Sequence, residues 1–390
     1  MFLQAHYLTS YAASLLNRDD AGLAKRIMFG GVPRLRVSSQ CQKRHWREAI
    51  SGKTDLPVGM RSRHFFDRII KVELVDGGMD EAQATELILH LAKEVFTTAG
   101  DKDALDTDTL QMKQPILFGR PEADYFLSIL REAASQGDQD AAKAFLDEKM
   151  KKGKGNFNAM VRAAGFGNSI AGFEGALFGR FVTSDILART DASVHVAHAF
   201  TTHALDTEVD FFTVVDDLAE EGETGGAHMN DMELGAGIFY GYVAVDVPLL
   251  ISNLTGCERA NWRSQDNVDA RQLLDVLIHS IAEVTPGAKL GSTAPYSLAE
   301  CVVLEIGGAQ PRTLANAFIK PIRMSADSHP MAESVNAMAA QVDSLETMYG
   351  NTGERRYVST IHNWSRDSDG KASLPDSIEQ SLNDIFGTKE

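Results

Sequence analysis

Eight lysine and arginine residues lie between Asn17 and Arg47, and residues of this type at this spacing suit the binding of a polyanion. They are Arg18, Lys25, Arg26, Arg34, Arg36, Lys43, Arg44 and Arg47. Their side chains carry the charged hydrogen-bond donors that phosphate groups accept. The pair Gly30 and Gly31 allows the backbone to turn and to approach a ligand without an intervening Cβ. The stretch therefore predicts a phosphate-binding surface.

The order of residues in this stretch predicts a strand, a cap and a helix in succession. Residues 34 to 37 are typical of an extended segment, Ser38 and Ser39 are suited to cap a helix, and residues 40 to 50 contain good helix formers. The first amides of such a helix have no partner within it, and the helix dipole favours an anion there. We therefore expect phosphates at this helix N-terminus.

The same helix should carry part of the surface along one face. Gln40, Lys43 and Arg47 follow the spacing i, i+3, i+7 and share that face. A solvated basic helix between ordinary hairpins is the alternative, and spacing alone leaves it open.

Charge is distributed very unevenly along the chain. The 390 residues carry a formal net charge of −16, yet residues 1 to 71 contain 13 lysine or arginine residues against 5 aspartate or glutamate residues. A basic face on an acidic body can bind one polyanion in one place and discourage binding elsewhere. An acidic partner protein would suit the same face, so charge alone does not select nucleic acid.

Composition indicates a soluble globular protein of two or more modules in a reducing compartment. Hydrophobic residues make up 44% and charged residues 24% of the chain. No apolar run approaches the roughly 18 residues of a membrane span, and the N-terminus lacks the basic flank of a secretory signal. Cys41, Cys257 and Cys301 are scattered and form no CxxC pair. A cytoplasmic protein without a membrane partner is expected.

Strand and helix patterns indicate a sheet protein that contains a helical insertion. Alternating or apolar runs predict strands at residues 2 to 11, 176 to 183, 193 to 202 and 237 to 247, whereas residues 80 to 152 have helical periodicity. The polar stretch NTGERRY, residues 351 to 357, predicts a loop.

An acidic excursion separates two of the predicted strands. Residues 203 to 233 contain ten carboxylates and no lysine or arginine, with Phe211 and Phe212 near the middle. This composition excludes a phosphate-binding surface and indicates an acidic arm with an apolar tip. A hairpin whose aromatic side chains pack on the core is the alternative.

Two other patterns could carry catalysis. Asp216 with Glu220, and Asp217 with Glu221, have helical spacing that would hold Mg²⁺ in a metal-dependent RNA-processing nuclease. A solvated acidic helix face is the simpler interpretation. His195 and His198 are three residues apart on a predicted strand and face opposite sides, so they are not expected to share a metal. A protein-interaction scaffold that binds no RNA remains a third class of function.

Several segments in order resemble one known family. They are LNRDD, KRIMFGG, RVSSQCQKRHWR, GRFVTSD, AHAFTTHALDTEVDFFTVVDDL, GIFYGYVAVDV, EVTPGAK and PRTLANAF. Together they are similar to the CasC family, the repeated backbone subunit of the type I-E CRISPR surveillance complex Cascade, within the Cas-seven superfamily. The resemblance runs over nearly the whole chain.

The resemblance implies an α+β fold shaped like a hand. An RRM-like (ferredoxin-like) antiparallel palm sheet would hold an inserted helical fingers domain and a long thumb hairpin. The implied ranges are 1–55, 175–203 and 235–325 for the palm, 56–174 for the fingers, 204–234 for the thumb, and 326–390 for C-terminal helices that pack on the palm.

The resemblance also implies a non-catalytic role in antiviral defence, with no cofactor and no metal. Copies of the chain would line a CRISPR guide RNA as a filament, beside other Cascade subunits, and present the guide for pairing with target DNA. The RNA backbone would be bound by Arg18, Lys25, Ser38, Gln40, Lys43 and Arg47. A base would be displaced at intervals by Phe181, Phe211 and Phe212.

Overall fold

The computed structural model describes residues 1–96, 105–153, 157–167, 171–181, 187, 189–213, 229–325 and 327–387. Its strands are β1 (Phe2–Ser14), β2 (Arg26–Phe29), β3 (Val32–Val37), β4 (Gly59–Ser62), β5 (Ile116–Gly119), β6 (Val194–Val196), β7 (Ala199–Thr201), β8 (Thr207–Thr213), β9 (Met229–Asp246), β10 (Ala299–Gly307), β11 (Arg355–Thr360) and β12 (Gly370–Lys371).

Its helices are α1 (Ser39–Ser51), α2 (Lys71–Asp76), α3 (Glu81–Phe96), α4 (Arg120–Ala134), α5 (Gln139–Gly153), α6 (Phe157–Ala163), α7 (Gly172–Phe178), α8 (Val247–Thr255), α9 (Val268–Glu283), α10 (Leu290–Thr293), α11 (Pro330–Tyr349) and α12 (Leu374–Phe386). A π-helical turn, Phe66–Ile70, leads into α2. Among the described residues, no helix has both the length and the apolar character needed to cross a membrane.

The chain forms two compact units. The sheet unit contains residues 1–54, 195–246 and 271–390, and the helical unit contains residues 55–194 and 247–270. Residues 175–194 and 247–270, which the resemblance assigns to the palm, thus lie in the helical unit. The assignment of palm, fingers and thumb to the chain stays a prediction.

The sheet unit is built on one large, mostly antiparallel sheet, which confirms the α+β class. The strand order is β12-β11-β10-β1-β9-β7-β3-β2, and β6 and β8 also pair with β9 beside this path. Central β1 pairs with β9 from Phe2 to Ser14 and with β10 from Phe2 to Thr9. Its alternation of apolar and polar residues appears as predicted, but both faces are covered, so Gln4 and His6 are buried along with Leu3 and Tyr7.

A C-terminal helix covers one face of this sheet. Met331 and Val335 of α11 pack in a buried cluster with Leu8 of β1 and Tyr240 of β9. Tyr240 is 1% exposed. Its hydroxyl lies 3.0 Å from His6 Nδ1 and accepts a hydrogen bond from the backbone N–H of Leu314. Burial raises the pKa of Tyr240. The helix therefore covers a sheet face on which the buried Tyr240 hydroxyl has hydrogen-bond partners.

The helical unit has an aromatic core of its own. Phe65 and Phe118 stack with ring centroids 3.9 Å apart, and Phe126 and Phe157 pack in the same cluster. The small sheet of β4 and β5 lies in this unit. The prediction of helices between residues 80 and 152 is confirmed by α3, α4 and α5.

The predicted strand at residues 176 to 183 is wrong. Residues 172 to 178 form α7, whose Phe173, Ala176 and Leu177 are buried, and the helix ends at Gly179 with φ +74. The run ALF is apolar enough for a buried strand or a buried helix, and periodicity does not separate the two over so few residues.

One further strand prediction and one loop prediction need correction. The strand predicted over residues 193 to 202 is divided into β6 and β7, and the backbone N–H of Ala197 between them donates to Tyr242 O at 2.9 Å. Residues 355 to 360, which include the end of the predicted loop NTGERRY, form β11 against β10. Arg356 on β11 is a buried polar side chain with buried carboxylate partners, so a polar sequence occupies a sheet interior.

Strand β8 and the first half of β9 form the two-stranded ribbon of the acidic excursion. The register runs from Thr207 opposite Gly235 to Thr213 opposite Met229. At its base, the N–H of Leu205 donates to Pro33 O at 2.8 Å. The ribbon is thereby attached to the hairpin that β2 and β3 form.

That hairpin turns at the predicted glycine pair. Gly30 has φ +62 and Gly31 has φ +79, and the strands pair up to Phe29 opposite Val32. Positive φ at both turn positions is the geometry that favours a two-residue hairpin turn. A Cβ on Gly30 would lie 1.7 Å from Ile319 O, whereas a Cβ on Gly31 would meet nothing within 4 Å. The close approach expected at Gly30 is thus to the chain itself.

We expect Gly30→Ala to destabilise the protein more than Gly31→Ala. Both substitutions place a side chain at positive φ, which costs about 1–2 kcal/mol, but only Gly30→Ala adds a clash with a backbone carbonyl, for about 1–3 kcal/mol more. Urea unfolding of the two variants measures the difference. Equal losses would contradict the close packing of Gly30 against residue 319.

Candidate nucleic-acid interface

Helix α1 begins as the sequence predicts. Ser38 is its N-cap, with φ −70 and ψ 151, and the Ser38 Oγ accepts the N–H of Cys41 at 3.3 Å. Trp46 and Ile50 are buried on the inner face, together with Gln42. Opposite them, Gln40 is exposed. The predicted sequence of strand, serine cap and helix is confirmed. Ser38 itself is only 6% exposed, whereas Gln40 in the first turn is exposed.

Gln42 explains why α1 sits at a fixed rotation about its axis. Its Nε2 donates to Ala197 O at 3.0 Å and to Val37 O at 3.3 Å, and its Oε1 accepts the hydroxyl of Tyr7. These bonds tie the first turn of the helix to β1 and to the segment between β6 and β7. The spacing of Gln42, Trp46 and Ile50 at i, i+4, i+8 was the available signal for a buried glutamine.

Lys43 and Arg47 are half-buried on the flank of α1. Burial lowers the pKa of the Lys43 ammonium, because the charged form loses hydration. An anion placed beside Lys43 would offset that loss. Both cations share the helix surface with Gln40, as the i, i+3, i+7 spacing predicts.

The loop that holds Arg18 and Lys25 is closed on itself. The Asp19 carboxylate accepts hydrogen bonds from the N–H groups of Ala21 at 2.9 Å and Leu23 at 3.0 Å. The backbones of Arg18 and Ala24 form an isolated antiparallel β-bridge. The predicted turn at Asp19 is therefore present. Arg18 is exposed and Lys25 is half-buried.

Asn17 connects this loop to the helix cap. Its Oδ1 accepts the N–H of Ser38 at 2.9 Å, and its backbone carbonyl accepts the N–H of Lys25 at 2.9 Å. The loop and the start of α1 are thus joined through one residue. Arg18, Lys25, Ser38, Gln40, Lys43 and Arg47 are consequently carried by directly connected elements of the sheet unit; we call these six residues the basic strip.

Three other basic residues of the stretch have partners within the chain, although only Arg34 is buried. Arg34 is 0% exposed and donates to Thr201 O at 2.9 Å and to Phe318 O at 2.8 Å, and burial lowers its pKa. Arg26 pairs with Glu233. Arg44 pairs with a carboxylate one turn further along α1. These three guanidinium groups are engaged within the chain.

His198 is a neighbour of the strip that the sequence did not reveal. Its Nδ1 accepts from Arg36 Nη1 at 2.7 Å, since a guanidinium only donates. Partial burial lowers the pKa of His198, and the charges of Arg36 and Lys25 lower it further. A neutral imidazole thus holds Arg36 beside Lys25.

The EVTPGAK segment also lies against α1. His45 Nδ1 donates to Cys41 O at 2.8 Å, which leaves Nε2 to accept the N–H of Gly287 at 3.4 Å. The N–H of Ala288 donates to Leu15 O at 3.1 Å. The tertiary structure therefore brings this distant motif next to the predicted site.

The three predicted base-displacing residues are on two different units. Phe181 belongs to the helical unit and is 77% exposed, with the Arg189 guanidinium 5.8 Å from its ring centroid. Phe211 lies on β8 in the sheet unit and is 62% exposed. The backbone of Phe212 pairs with Asn230, and its side chain lies outside the described residues. Their joint role stays a prediction.

The residues proposed for metal catalysis are not described by the structure. Asp216, Asp217, Glu220 and Glu221 fall in the undescribed range 214–228. Within the described ranges, no group of three or more histidine, cysteine, aspartate or glutamate side chains is arranged to hold a metal ion. The nuclease hypothesis therefore stays untested by the geometry.

Comparisons with known proteins identify relatives of the whole chain. The model of the family described as CT1975-like protein matches residues 3–386. A solved chain described as "CRISPR RNA-guided surveillance complex, pre-nicking" is similar, with 24% identity, a TM-score of 0.79, and coverage of 99% of this chain and 100% of that chain. A second, described as "CRISPR RNA-guided surveillance complex", has 20% identity, a TM-score of 0.60 and the same coverage. No curated protein matches. The two structures share the fold of this chain.

Proposed function

The chain belongs to the CT1975-like protein family, and from this membership we propose that it is a CRISPR RNA-binding backbone subunit of a Cascade-type surveillance complex. The likeness of its fold to subunits of two CRISPR RNA-guided surveillance complexes supports the proposal. The finer assignment, to the CasC family of type I-E complexes with an RRM-like palm, rests on the sequence resemblance.

The basic strip is the observation that carries the RNA-binding proposal. Four cations, Arg18, Lys25, Lys43 and Arg47, lie with a capped helix N-terminus on connected elements of a chain whose net charge is −16. Phosphates along the strip would accept from these side chains and from the first amides of α1. The protein would then hold the RNA backbone, and base pairing would supply sequence specificity.

The acidic ribbon of β8 and β9 would serve assembly. Its exposed Glu208, Asp210 and Asp231 repel phosphate, while Val209 and Phe211 present apolar side chains. We propose that the ribbon of one copy reaches over a neighbouring copy, meets a basic surface there, and displaces a base with Phe211 and Phe212. Phe181 would wedge against the displaced base. Unstacking costs a few kcal/mol per step, which backbone contacts and aromatic stacking would offset.

The proposal assigns the chain no catalysis. Its role would be to hold guide RNA in short segments that are open for pairing with target DNA. Additional copies and other subunits of the complex would complete the particle. Lys151, Lys152 and Lys154 near the end of α5 would be available to a target strand. Lys151 is exposed, and the side chains of Lys152 and Lys154 lie outside the described residues.

Binding of labelled guide RNA at several salt concentrations tests the proposal. If the four cations of the strip contact phosphates, log K should fall with log salt with a slope of about −3, since each contact contributes about −0.7 on a single strand. Native mass spectrometry with RNAs of increasing length should detect additional copies in steps. Absent or salt-insensitive binding would instead favour a protein scaffold that binds no RNA.

A further inference from the structure

Glu233 is a buried carboxylate that the proposed function does not use. It lies on β9, at the base of the acidic ribbon, and is 5% exposed. Its Oε2 accepts the backbone N–H of Ala24 at 2.8 Å, and its Oε1 pairs with the Arg26 guanidinium. A carboxylate close to the proposed phosphate-binding surface opposes RNA binding through its negative charge. Its presence there therefore indicates a structural role that offsets this repulsion.

The Ala24 N–H is the part of the loop that depends on Glu233. Ala24 is 7% exposed and lies between the two cations of the loop, directly before Lys25 and bridged to Arg18. Without the carboxylate, this N–H would be buried with no acceptor, which proteins rarely tolerate. The loop would shift to reach water, and Arg18 and Lys25 would shift with it.

The same residue also joins the loop to the ribbon. Glu233 is opposite Val209 in the register of β8 and β9, and Asp231, two residues earlier, is opposite Phe211. Side chains two apart on a strand share a face. The position of the loop is therefore set by β9, the strand that pairs with β8 and its exposed tip residue Phe211.

We propose that Glu233 is a positioning residue for RNA binding: by holding the Ala24 N–H and Arg26, it places Arg18 and Lys25 where they meet the RNA phosphates. The inference rests on the proposed function. It makes a prediction opposite in sign to simple electrostatics. Removal of a negative charge near a polyanion site should strengthen binding, whereas removal of the positioning contacts should weaken it.

The test compares three variants of the full chain for binding to a single-stranded RNA of about eight nucleotides, short enough to favour one copy. Glu233→Ala removes charge and acceptor. Glu233→Gln removes the charge but keeps a side-chain oxygen for the Ala24 N–H. Asp231→Ala removes one carboxylate from the same strand face, where the side chain is exposed, and is the matched control for charge.

We expect Glu233→Ala to weaken binding about fivefold and to make the salt slope shallower by about 0.7 for each phosphate that the loop no longer binds. Glu233→Gln should restore most of the affinity, and Asp231→Ala should bind as well as the wild type or more tightly. In an Arg18→Ala/Lys25→Ala background, Glu233→Ala should have no further effect, because the side chains that it positions are gone.

Other outcomes overturn the inference without affecting the proposed function. Tighter binding by Glu233→Ala would assign Glu233 a purely electrostatic effect. An equal loss in the Arg18→Ala/Lys25→Ala background would indicate general loss of structure, and so would failure of Glu233→Gln to restore affinity. Failure of the wild type to bind in a salt-dependent manner would instead count against the proposed function itself.

Discussion

Replacing Lys43 and Arg47 together with alanine should lower the affinity for single-stranded guide RNA at least about tenfold at low salt. Each charge-assisted hydrogen bond to phosphate contributes about 1.5–3 kcal/mol, and both side chains lie on one flank of α1, with Lys43 one turn after the N-terminus and Arg47 one turn further. The salt slope should become shallower by about 1.4. Titration of labelled RNA at two or more salt concentrations, with circular dichroism to verify folding, measures both effects.

Arg44→Ala/Lys53→Ala is the matched control for this prediction. It also removes two positive charges from the region, but Arg44 pairs with Glu48 at 2.9 Å and Lys53 pairs with Glu283 at 3.3 Å. Its affinity should fall much less than that of Lys43→Ala/Arg47→Ala. Equal losses in the two double variants would mean that RNA senses only the overall charge of the unit, and the basic strip would lose its status as the binding site.

Glu305→Gln should destabilise the chain by about 3 kcal/mol at pH 7. Glu305 on β10 is 0% exposed and pairs with Arg356, while Arg312 contacts it at 3.2 Å and His6 Nε2 at 3.3 Å. Breaking a buried ion pair by neutralising one partner leaves an uncompensated charge, which costs about 3–5 kcal/mol. Asp369 remains 2.9 Å from Arg356 and should hold the loss near the lower end of this range.

Glu300→Gln, on the same strand, is the control for this substitution. Glu300 pairs with His362 at 2.8 Å, and 31% of its side chain is exposed, so the loss should stay below about 1 kcal/mol. Urea unfolding of both variants beside the wild type measures the difference. Similar losses of unfolding free energy in the two variants would contradict a special contribution from the buried ion pairs of Glu305.

Acid should erase the effect of Glu305→Gln. The contacts with His6, Arg356 and Arg312 outweigh the opposing effect of burial and lower the pKa of Glu305 from 4.5 to about 2. A lowered pKa in the folded state contributes stability above the unfolded value of 4.5, and this contribution is lost as pH falls towards 2. The difference in the free energy of unfolding between wild type and Glu305→Gln should therefore be largest at pH 7 and should shrink steadily below about pH 4.5.

Local features of the basic strip could be predicted from the sequence because close neighbours decide them. The cap at Ser38, the helix that follows it and the shared face of Gln40, Lys43 and Arg47 depend on interactions within one or two helical turns. The turn at Gly30 depends on which residues tolerate positive φ. In the same way, the acidic composition of residues 203 to 233 is sufficient to exclude a phosphate-binding surface there.

Residue type alone did not reveal which basic residues belong to the basic strip and which pair inside the chain. Arg34 and Lys43 look equivalent in the sequence, yet Arg34 is enclosed by carbonyl groups of Thr201 and Phe318, which are 167 and 284 positions away along the chain. Glu233 reaches Ala24 across 209 positions. Contacts at such separations depend on the strand order of the sheet, and local periodicity does not encode that order.

The wrong and missing strands have the same physical cause. Residues 172 to 178 form a short and mostly apolar segment, so its burial is predictable while helix or strand is not. Its packing against β4, β5 and α8 within the helical unit accompanies the helical form. From the sequence, Arg356 is expected at the surface. In the structure it is buried, because Glu305 of β10 pairs with it in the interior. The sequence by itself determined the capped helix, the hairpin turn and the charge asymmetry, because these depend on neighbouring residues. The tertiary structure decided which charges remain at the surface, because pairing a buried charge requires a partner from a distant strand.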